Sequence, residues 1–366
     1  MDYHGRQHRL RSALSPRRLS ALLVTHLPNI RYLTGFTGSS AVLIAPAKGT
    51  PVLFTDGRYT EQAAQEVKGA RVKITASAAL KTAIEFLRAG KQASVGFEAS
   101  RLSVAEFEAI RKFAAVRLKP TTDIVERLRW IKDEDEVRTI RTAIDLASKV
   151  FDAVVPEVAT GVLESALAAE IEYMSKRLGA AGMSFDTIVA AGKRSALPHG
   201  RASDTPLPAK GFVIFDFGVI VDGYCSDMTR TVHVGRTDRR AERVYNAVLE
   251  AQLAGIKAVK DGVETSQVDQ AARAVLEKAG LGGYFTHSTG HGVGLEIHES
   301  PGLRKLPKAA RTTKVKADRL EAGMVVTIEP GVYIPGWGGV RIEDMVLVTD
   351  SGCAVLTPTA KELVVL

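Results

Sequence analysis

Short apolar runs and amphipathic stretches alternate along the first third of the chain. Ala41–Ala45, Val52–Thr55 and Val72–Thr75 are short strand-like runs, and Ala79–Leu87 and Ala105–Phe113 carry helical apolar spacing. The pattern predicts a compact α/β domain over residues 1–122, closed by the boundary signal Lys119-Pro120-Thr121-Thr122. A long helix is expected next, because Val137, Ile140, Ile144, Ala147, Phe151 and Val154 recur at three- and four-residue steps on one face. Asp133, Glu134, Asp135 and Glu136 load its first turn with negative charge, which complements the helix dipole.

The second domain, 123–366, carries a faint internal repeat. Gly161-Val162, Ser165, Gly179 and Gly182 recur at an offset of 101 as Gly262-Val263, Ser266, Gly280 and Gly283. Each copy has a helical pattern between these positions and another helix before them. Two helix–helix–strand halves related by a pseudo-two-fold axis are the expectation, and a site between them would draw residues from both.

Five residues in this domain are candidate metal ligands: Asp216, Asp227, His291, Glu329 and Glu343. Phe212–Phe215 is a buried-strand run ending at Asp216. Asp222-Gly223 signals a hairpin turn, and Thr229–Val232 is the return strand after Asp227. A Val221-Asp222 loop sets the two aspartates directly opposite, whereas an Asp222-Gly223 loop sets them diagonally. Either register places both on one face, where like charges repel unless a cation lies between them. The same logic recurs downstream. Met324–Ile328 leads into Glu329, Val340–Val348 holds Glu343, and the turn Pro335–Gly339 has Gly336 midway between the glutamates. Arg341 falls on the face of Glu343, as a salt-bridge partner or a substrate contact. Four carboxylates and one imidazole suit a pair of hard or borderline divalent ions better than a single zinc.

Histidines cluster around this set. His287, His291 and His298 fall in the glycine-rich stretch 286–299, and His199 sits in Leu197-Pro198-His199-Gly200. One would ligate metal and the others donate or relay protons. The glycines resemble a phosphate loop, but no Walker lysine follows them.

Composition narrows the class. Apolar residues make up 45% and charged residues 25%, as in globular proteins, and no apolar run is long enough for a membrane span. No secretory h-region follows the basic residues Arg6, Arg9 and Arg11, and the two cysteines form no disulfide framework, so a cytoplasmic address is the default expectation. The net charge of +8 is scattered rather than blocked, which argues against nucleic-acid binding. The basic segment Arg304–Arg319 is expected to be a solvated loop, or a flap at a pocket mouth that attracts a substrate carboxylate.

Taken together these segments resemble the pita-bread (creatinase/aminopeptidase-fold) metallopeptidases, the group of prolidase, aminopeptidase P and methionine aminopeptidase. The likeness rests on Asp216-Phe217-Gly218, Gly223–Thr231, Gly290-His291-Gly292-Val293-Gly294, Thr327-Ile328-Glu329-Pro330-Gly331 and Arg341-Ile342-Glu343-Asp344. Ser195–Gly200 is similar to a segment of Xaa-Pro peptidases. Asn29–Gly35 and Thr55-Asp56-Gly57-Arg58-Tyr59 look like their N-terminal domain. The resemblance implies an α/β (α+β) architecture, with a creatinase-like domain that dimerises and caps the pocket, followed by a pita-bread catalytic domain.

The resemblance also implies residue roles. Asp216 would bind one ion, His291 and Glu329 the other, and Asp227 and Glu343 both. A water or hydroxide between the ions would attack the carbonyl before proline, with Glu329 shuttling a proton. His199 and His298 would flank the substrate, with His287 and Arg341 as further contacts. Manganese is the expected metal, with cobalt or zinc as alternatives, and proline-containing di- or oligopeptides the expected substrates of a homodimer. Two other readings compete: a non-catalytic peptide-binding protein on the same fold, and a methionine aminopeptidase-like enzyme. The intact ligand set argues against the first, and the N-terminal domain against the second. Asp56 and Arg58 are expected to form a structural ion pair rather than to reach substrate.

Overall fold

A computed structural model describes residues 1–90, 94–113, 116–305 and 318–366. The chain divides into two compact units, Met1–Arg129 and Trp130–Leu366.

In the first unit, helices α1 (Tyr3–Leu14), α2 (Leu27–Thr34), α3 (Thr60–Glu66), α4 (Ala79–Ala89), α5 (Val104–Phe113) and α6 (Ile124–Trp130) accompany six strands. These are β1 (Ala21–Val24), β2 (Ala41–Pro46), β3 (Val52–Asp56), β4 (Arg71–Thr75), β5 (Ser94–Glu98) and β6 (Arg117–Thr121), in the sheet order β4-β3-β2-β1-β5-β6. Leu23, Ile44, Phe54 and Val95 share a core with Ile84 and Leu87 of α4, as the alternation of strand and helix patterns predicts. Pro120 does not mark a linker. It lies in β6, which among the described residues pairs only with β5, and a sheet edge tolerates a residue without an N–H donor. The unit continues through α6 because Asn29 of α2 binds it directly. The Asn29 amide donates to Glu126 at 2.9 Å, and Arg129 donates to the Asn29 carbonyl oxygen at 2.7 Å. Arg58 and Asp56 form a two-pronged pair, at 2.8 and 2.9 Å, on the surface.

The second unit is built twice over. Helices α7 (Glu134–Val154) and α8 (Glu164–Arg177) precede strands β7 (Gly182–Met183), β8 (Ile188–Ala191), β9 (Gly211–Phe217), β10 (Val219–Val221), β11 (Tyr224–Cys225) and β12 (Met228–Val234). Helices α9 (Arg239–Ala258) and α10 (Thr265–Lys278) precede β13 (Gly290–Gly292), β14 (Glu299–Leu303), β15 (Val325–Ile328), β16 (Gly331–Ile334), β17 (Gly338–Arg341), β18 (Asp344–Thr349) and β19 (Gly352–Val355). The ladder β12-β9-β8 in one half matches β18-β15-β13 in the other. The repeat is a backbone requirement as well as a sequence echo. Gly161 and Gly179 take φ of 87° and 104°, and Gly262 and Gly280 take 76° and 75°, conformations that glycine adopts without steric cost.

Helix α7 starts where its acidic run indicated. The Asp133 side chain accepts from the Glu136 N–H, and Glu136 returns the bond in a capping box. Its apolar face buries Ala147, Val150 and Phe151 against Val213 and Phe215 of β9. Phe151 and Phe215 meet edge to face at 6.0 Å, and burying each such ring contributes about 1.5–3 kcal/mol.

Two strand expectations change. The run 340–348 is not continuous: β17 ends at Arg341 and β18 begins at Asp344, in different sheets, so Glu343 sits in the gap. The turn shortens to Pro335–Trp337, because Gly338 and Gly339 join β17. A Cβ on Gly339 would lie 2.2 Å from the Ser195 carbonyl oxygen, so this strand packs there only as glycine. The segment 306–317, most of the basic stretch, lies outside the described residues.

Candidate active site

Both hairpins deliver their acids through the same device, a break in the ladder that leaves the register intact. In the first, Val221 pairs with Tyr224 around the Asp222-Gly223 loop, and φ is positive at both loop residues, 45° and 78°. Asp216 therefore faces Thr229, and Asp227 sits diagonally from Asp216 in the gap between β11 and β12. In the second, Ile328 faces Asp344 and Gly331 faces Arg341, which puts Glu329 directly across from Glu343.

These residues meet in a cleft of about 810 Å³. Asp216, Asp227, His291, Glu329, Glu343, His199, His287, His298 and Arg341, all predicted from sequence, line it. Donor atoms of Asp227, His291 and Glu343 lie within 4.8 Å of one another. His291 Nε2 is 3.5 Å from Asp227 and 3.7 Å from Glu329. Its Nδ1 donates to the Gly292 carbonyl oxygen at 2.9 Å, an acceptor only, which leaves Nε2 as the lone-pair donor. Asp216 is bound through Oδ2 to Arg341, while its Oδ1 and that of Asp227 are buried without a hydrogen-bond partner.

The electrostatics follow from crowding acids in a dry place. Burial, then Glu343, pushes the Asp227 carboxyl well above its ordinary range, and burial, then Glu329, does the same to Glu343. Burial raises Glu329 to about 8, although Arg341 opposes it. Burial lowers His291 and His287 to about 4, and lowers His298 as well. Arg341 stays charged against its burial because Tyr333 and Asp216 hold its proton. Unsatisfied buried acceptors beside a neutral imidazole fit divalent cations, and the oxygen-rich set is one for hard or borderline ions.

Two residues of this site were not singled out from sequence. Tyr333 accepts from Arg341 at 2.6 Å and lies 2.9 Å from His287 Nε2. It shares a ladder face with Glu329, four residues back, so strand parity was the available signal. Thr229 donates to Glu343 at 2.7 Å and accepts from Arg341 Nε at 3.1 Å, and it holds the ladder position opposite Asp216. Arg304, the first residue of the basic segment read as a loop or pocket-mouth flap, also lines the cleft, as does Arg201, which no motif marks.

A duplicated fold with a carboxylate-rich centre between its halves defines a metal-dependent hydrolase. Residues 138–350 match the metallopeptidase family M24 and residues 6–131 the creatinase/prolidase N-terminal domain; the chain belongs to metallopeptidase family M24. It is 36% identical over 347 residues to an Xaa-Pro dipeptidase of Pyrococcus horikoshii, covering 94% of this chain and 95% of that one. Its structure is similar to an Xaa-Pro dipeptidase from Bacillus anthracis, with a TM-score of 0.94, 38% identity and full coverage of both chains. It is also similar to an X-Pro aminopeptidase from Thermotoga maritima, with a TM-score of 0.87 and 33% identity, covering 97% of this chain and 100% of that one. The non-catalytic binder and the methionine aminopeptidase-like enzyme gain no support from these relatives.

Proposed function

We propose that this enzyme is an Xaa-Pro dipeptidase, cleaving the peptide bond before a C-terminal proline. The observation that carries the reading is the convergence of Asp216, Asp227, His291, Glu329 and Glu343 on one cleft, with partnerless buried oxygens on both aspartates. Asp216 would serve one metal position, His291 and Glu329 the other, and Asp227 and Glu343 both. Two divalent ions, manganese by our reading, supply Lewis acidity and make water nucleophilic at neutral pH.

The chain's own residues do the rest. Arg341, tied to Asp216, Tyr333 and the Pro198 carbonyl, fixes the carboxylate geometry of the floor. As water adds to the carbonyl carbon, Glu329 takes its proton and passes it to the proline nitrogen as the C–N bond breaks. His298, its ring 4.4 Å from that of His291, and His199 donate to the developing oxyanion. His287, kept neutral by burial, contacts substrate from the Tyr333 side.

We further propose a cytoplasmic homodimer, paired and capped through its first domain (residues 1–122 as read from sequence). Free Cys225 and Cys353 support the address. Among the described residues no helix is long and apolar enough to cross a membrane. A longer-peptide aminopeptidase is the second reading, favoured by the Thermotoga likeness. The test is a length series, Ala-Pro against Ala-Pro-Ala, with manganese and with chelator. Metal-dependent cleavage of Ala-Pro alone supports the dipeptidase. Cleavage of the tripeptide at similar efficiency selects the aminopeptidase, and a metal-loaded protein that cuts neither overturns both.

A further inference from the structure

A second cavity, of about 510 Å³, lies apart from the catalytic cleft and shares none of its lining residues. Its floor is aromatic. Phe212 meets His233 edge to face at 5.1 Å and Trp337 at 5.7 Å, and Pro208 adds an apolar wall. His233 is 2% exposed, yet it lines this cavity. Its Nδ1 lies 2.9 Å from the Gly235 carbonyl oxygen, which can only accept, so Nδ1 carries the proton and Nε2 is an acceptor. Among the described residues Nε2 has no hydrogen-bond partner. Nε2 is not among the buried partnerless atoms, so its lone pair opens onto the cavity, where a donor can reach it. The rim is cationic: Lys193 and Lys210 line it, and the Arg240 guanidinium lies 4.4 Å from the Trp337 ring centre. Lys210 is paired with Asp238 at 2.8 Å, whereas Lys193 is exposed with no ion-pair partner among the described residues.

From this arrangement we propose that the cavity binds a small ring-bearing amino or imino acid. The ring lies on Phe212 and Trp337, the ligand N–H donates to His233 Nε2, and the carboxylate meets Lys193. Two walls of the cavity are the roots of catalytic segments. Gly192–Arg194 begins the 3-10 turn that leads to His199, and Trp337 closes the hairpin that carries Arg341. Ser195 joins these walls, accepting from the Gly339 N–H at 2.8 Å and donating to the Gly192 carbonyl at 2.6 Å. A bound ligand therefore bears on both. If the dipeptidase reading holds, proline itself is such a compound, and the site senses product; the binding test below does not depend on that reading.

Trp337 is one of only two tryptophans, so the site carries its own reporter. Metal-free protein would be titrated with L-proline and L-tryptophan, and with L-proline methyl ester as the partner lacking a carboxylate. The readout is tryptophan fluorescence for proline and its ester, and calorimetry for the indole ligand. The proposal expects saturable binding of proline, weakened about tenfold by loss of one charged contact in Lys193→Ala and to a similar degree in His233→Gln or in the ester. The fluorescence change vanishes in Trp337→Phe while calorimetric binding persists. Lys193 is on the surface, so its variant stays folded, and an unchanged melting temperature checks His233→Gln. Binding equal in wild type and Lys193→Ala places the ligand elsewhere, as in the catalytic cleft, and overturns the proposal. So does the absence of saturable binding up to ~100 mM.

Discussion

The two halves of the catalytic unit use one ladder plan and fill it differently. Asp216 pairs with Ile188, and the Glu329 N–H donates to the Thr289 carbonyl 101 positions further along than Ile188, so Asp216 and Glu329 occupy equivalent places. The residue across from Asp216 is Thr229; the residue across from Glu329 is Glu343. The diagonal position holds Asp227 in the first half and Arg341 in the second. His291 has no counterpart, since Ala190 stands at its place in β8. A symmetric filling would place like charges against one another across the axis. The observed one sets Thr229 between Glu343 and Arg341, and Arg341 on Asp216. Duplication supplies the scaffold, and asymmetry makes it chemically useful.

The sharpest way to break this comparison is to equalise the halves at the acids. Glu343→Gln removes a carboxylate that our reading places on both metals. We expect kcat/KM to fall by ~10³-fold or more, a loss of about 4 kcal/mol of transition-state stabilisation, with less than two metals retained by elemental analysis. A variant that keeps both metals and near-wild-type rate ends the two-ion reading.

Removing the metals should expose the repulsion the cations relieve. Glu329 is raised to about 8, and Asp227 and Glu343 move in the same direction, so each stabilises the metal-free fold while protonated and loses that contribution as pH rises. His291 and His287 are lowered to about 4, so their stabilisation is already complete above about 6.5, the unfolded value. Between pH 6.5 and 8 the carboxylates alone decide the slope. The melting temperature of chelator-treated protein should fall across that window and that of metal-loaded protein should not. Parallel curves would mean the cations do not sit among these acids.

The glycines behind the acids sharpen the contrast next. Gly218 and Gly331 are equivalent by register, two residues past Asp216 and Glu329. A Cβ on Gly218 would fall 1.8 Å from the Ser226 carbonyl oxygen, a backbone atom that cannot yield. On Gly331 it meets the Tyr333 hydroxyl at 2.5 Å, the end of a side chain. Gly218→Ala should cost about 3 kcal/mol in denaturant unfolding. Gly331→Ala should cost less stability but displace the phenol that holds Arg341, lowering kcat. Thr229→Val, which leaves Glu343 and Arg341 without their shared hydroxyl, should cost about 1–3 kcal/mol, read in stability and kcat together.

Much of this was legible beforehand, because the acids sit beside turn signals. Asp222-Gly223 and Gly336 located both hairpins, and period-two parity put each acid pair on one face. What stayed hidden depends on neighbours distant in sequence. The diagonal register of Asp216 and Asp227 is settled by which loop the backbone adopts, and both candidate loops contained Asp222. The break at Ile342-Glu343 is invisible because Val340–Val348 reads as one apolar run; it shows only when two sheets compete for it. Thr229 was read as a strand residue, and its bond to Glu343 spans 114 positions. Pro120 reads as a linker residue in sequence, whereas it lies in β6, a placement visible only once the edge of the sheet is known.

The smallest effect tests the duplication itself. Gly161 and Gly262 open equivalent helices with φ of 87° and 76°, and a Cβ on either would meet nothing within 4 Å. Alanine at each position thus incurs only the left-handed backbone cost, about 1–2 kcal/mol, with no packing term to separate the halves. Neither glycine touches the cleft, so kcat and KM should hold while the denaturation midpoint drops by the same amount in both variants. Unequal drops would show that the two turns are held by different surroundings, and the resemblance between halves would then stop at the strands.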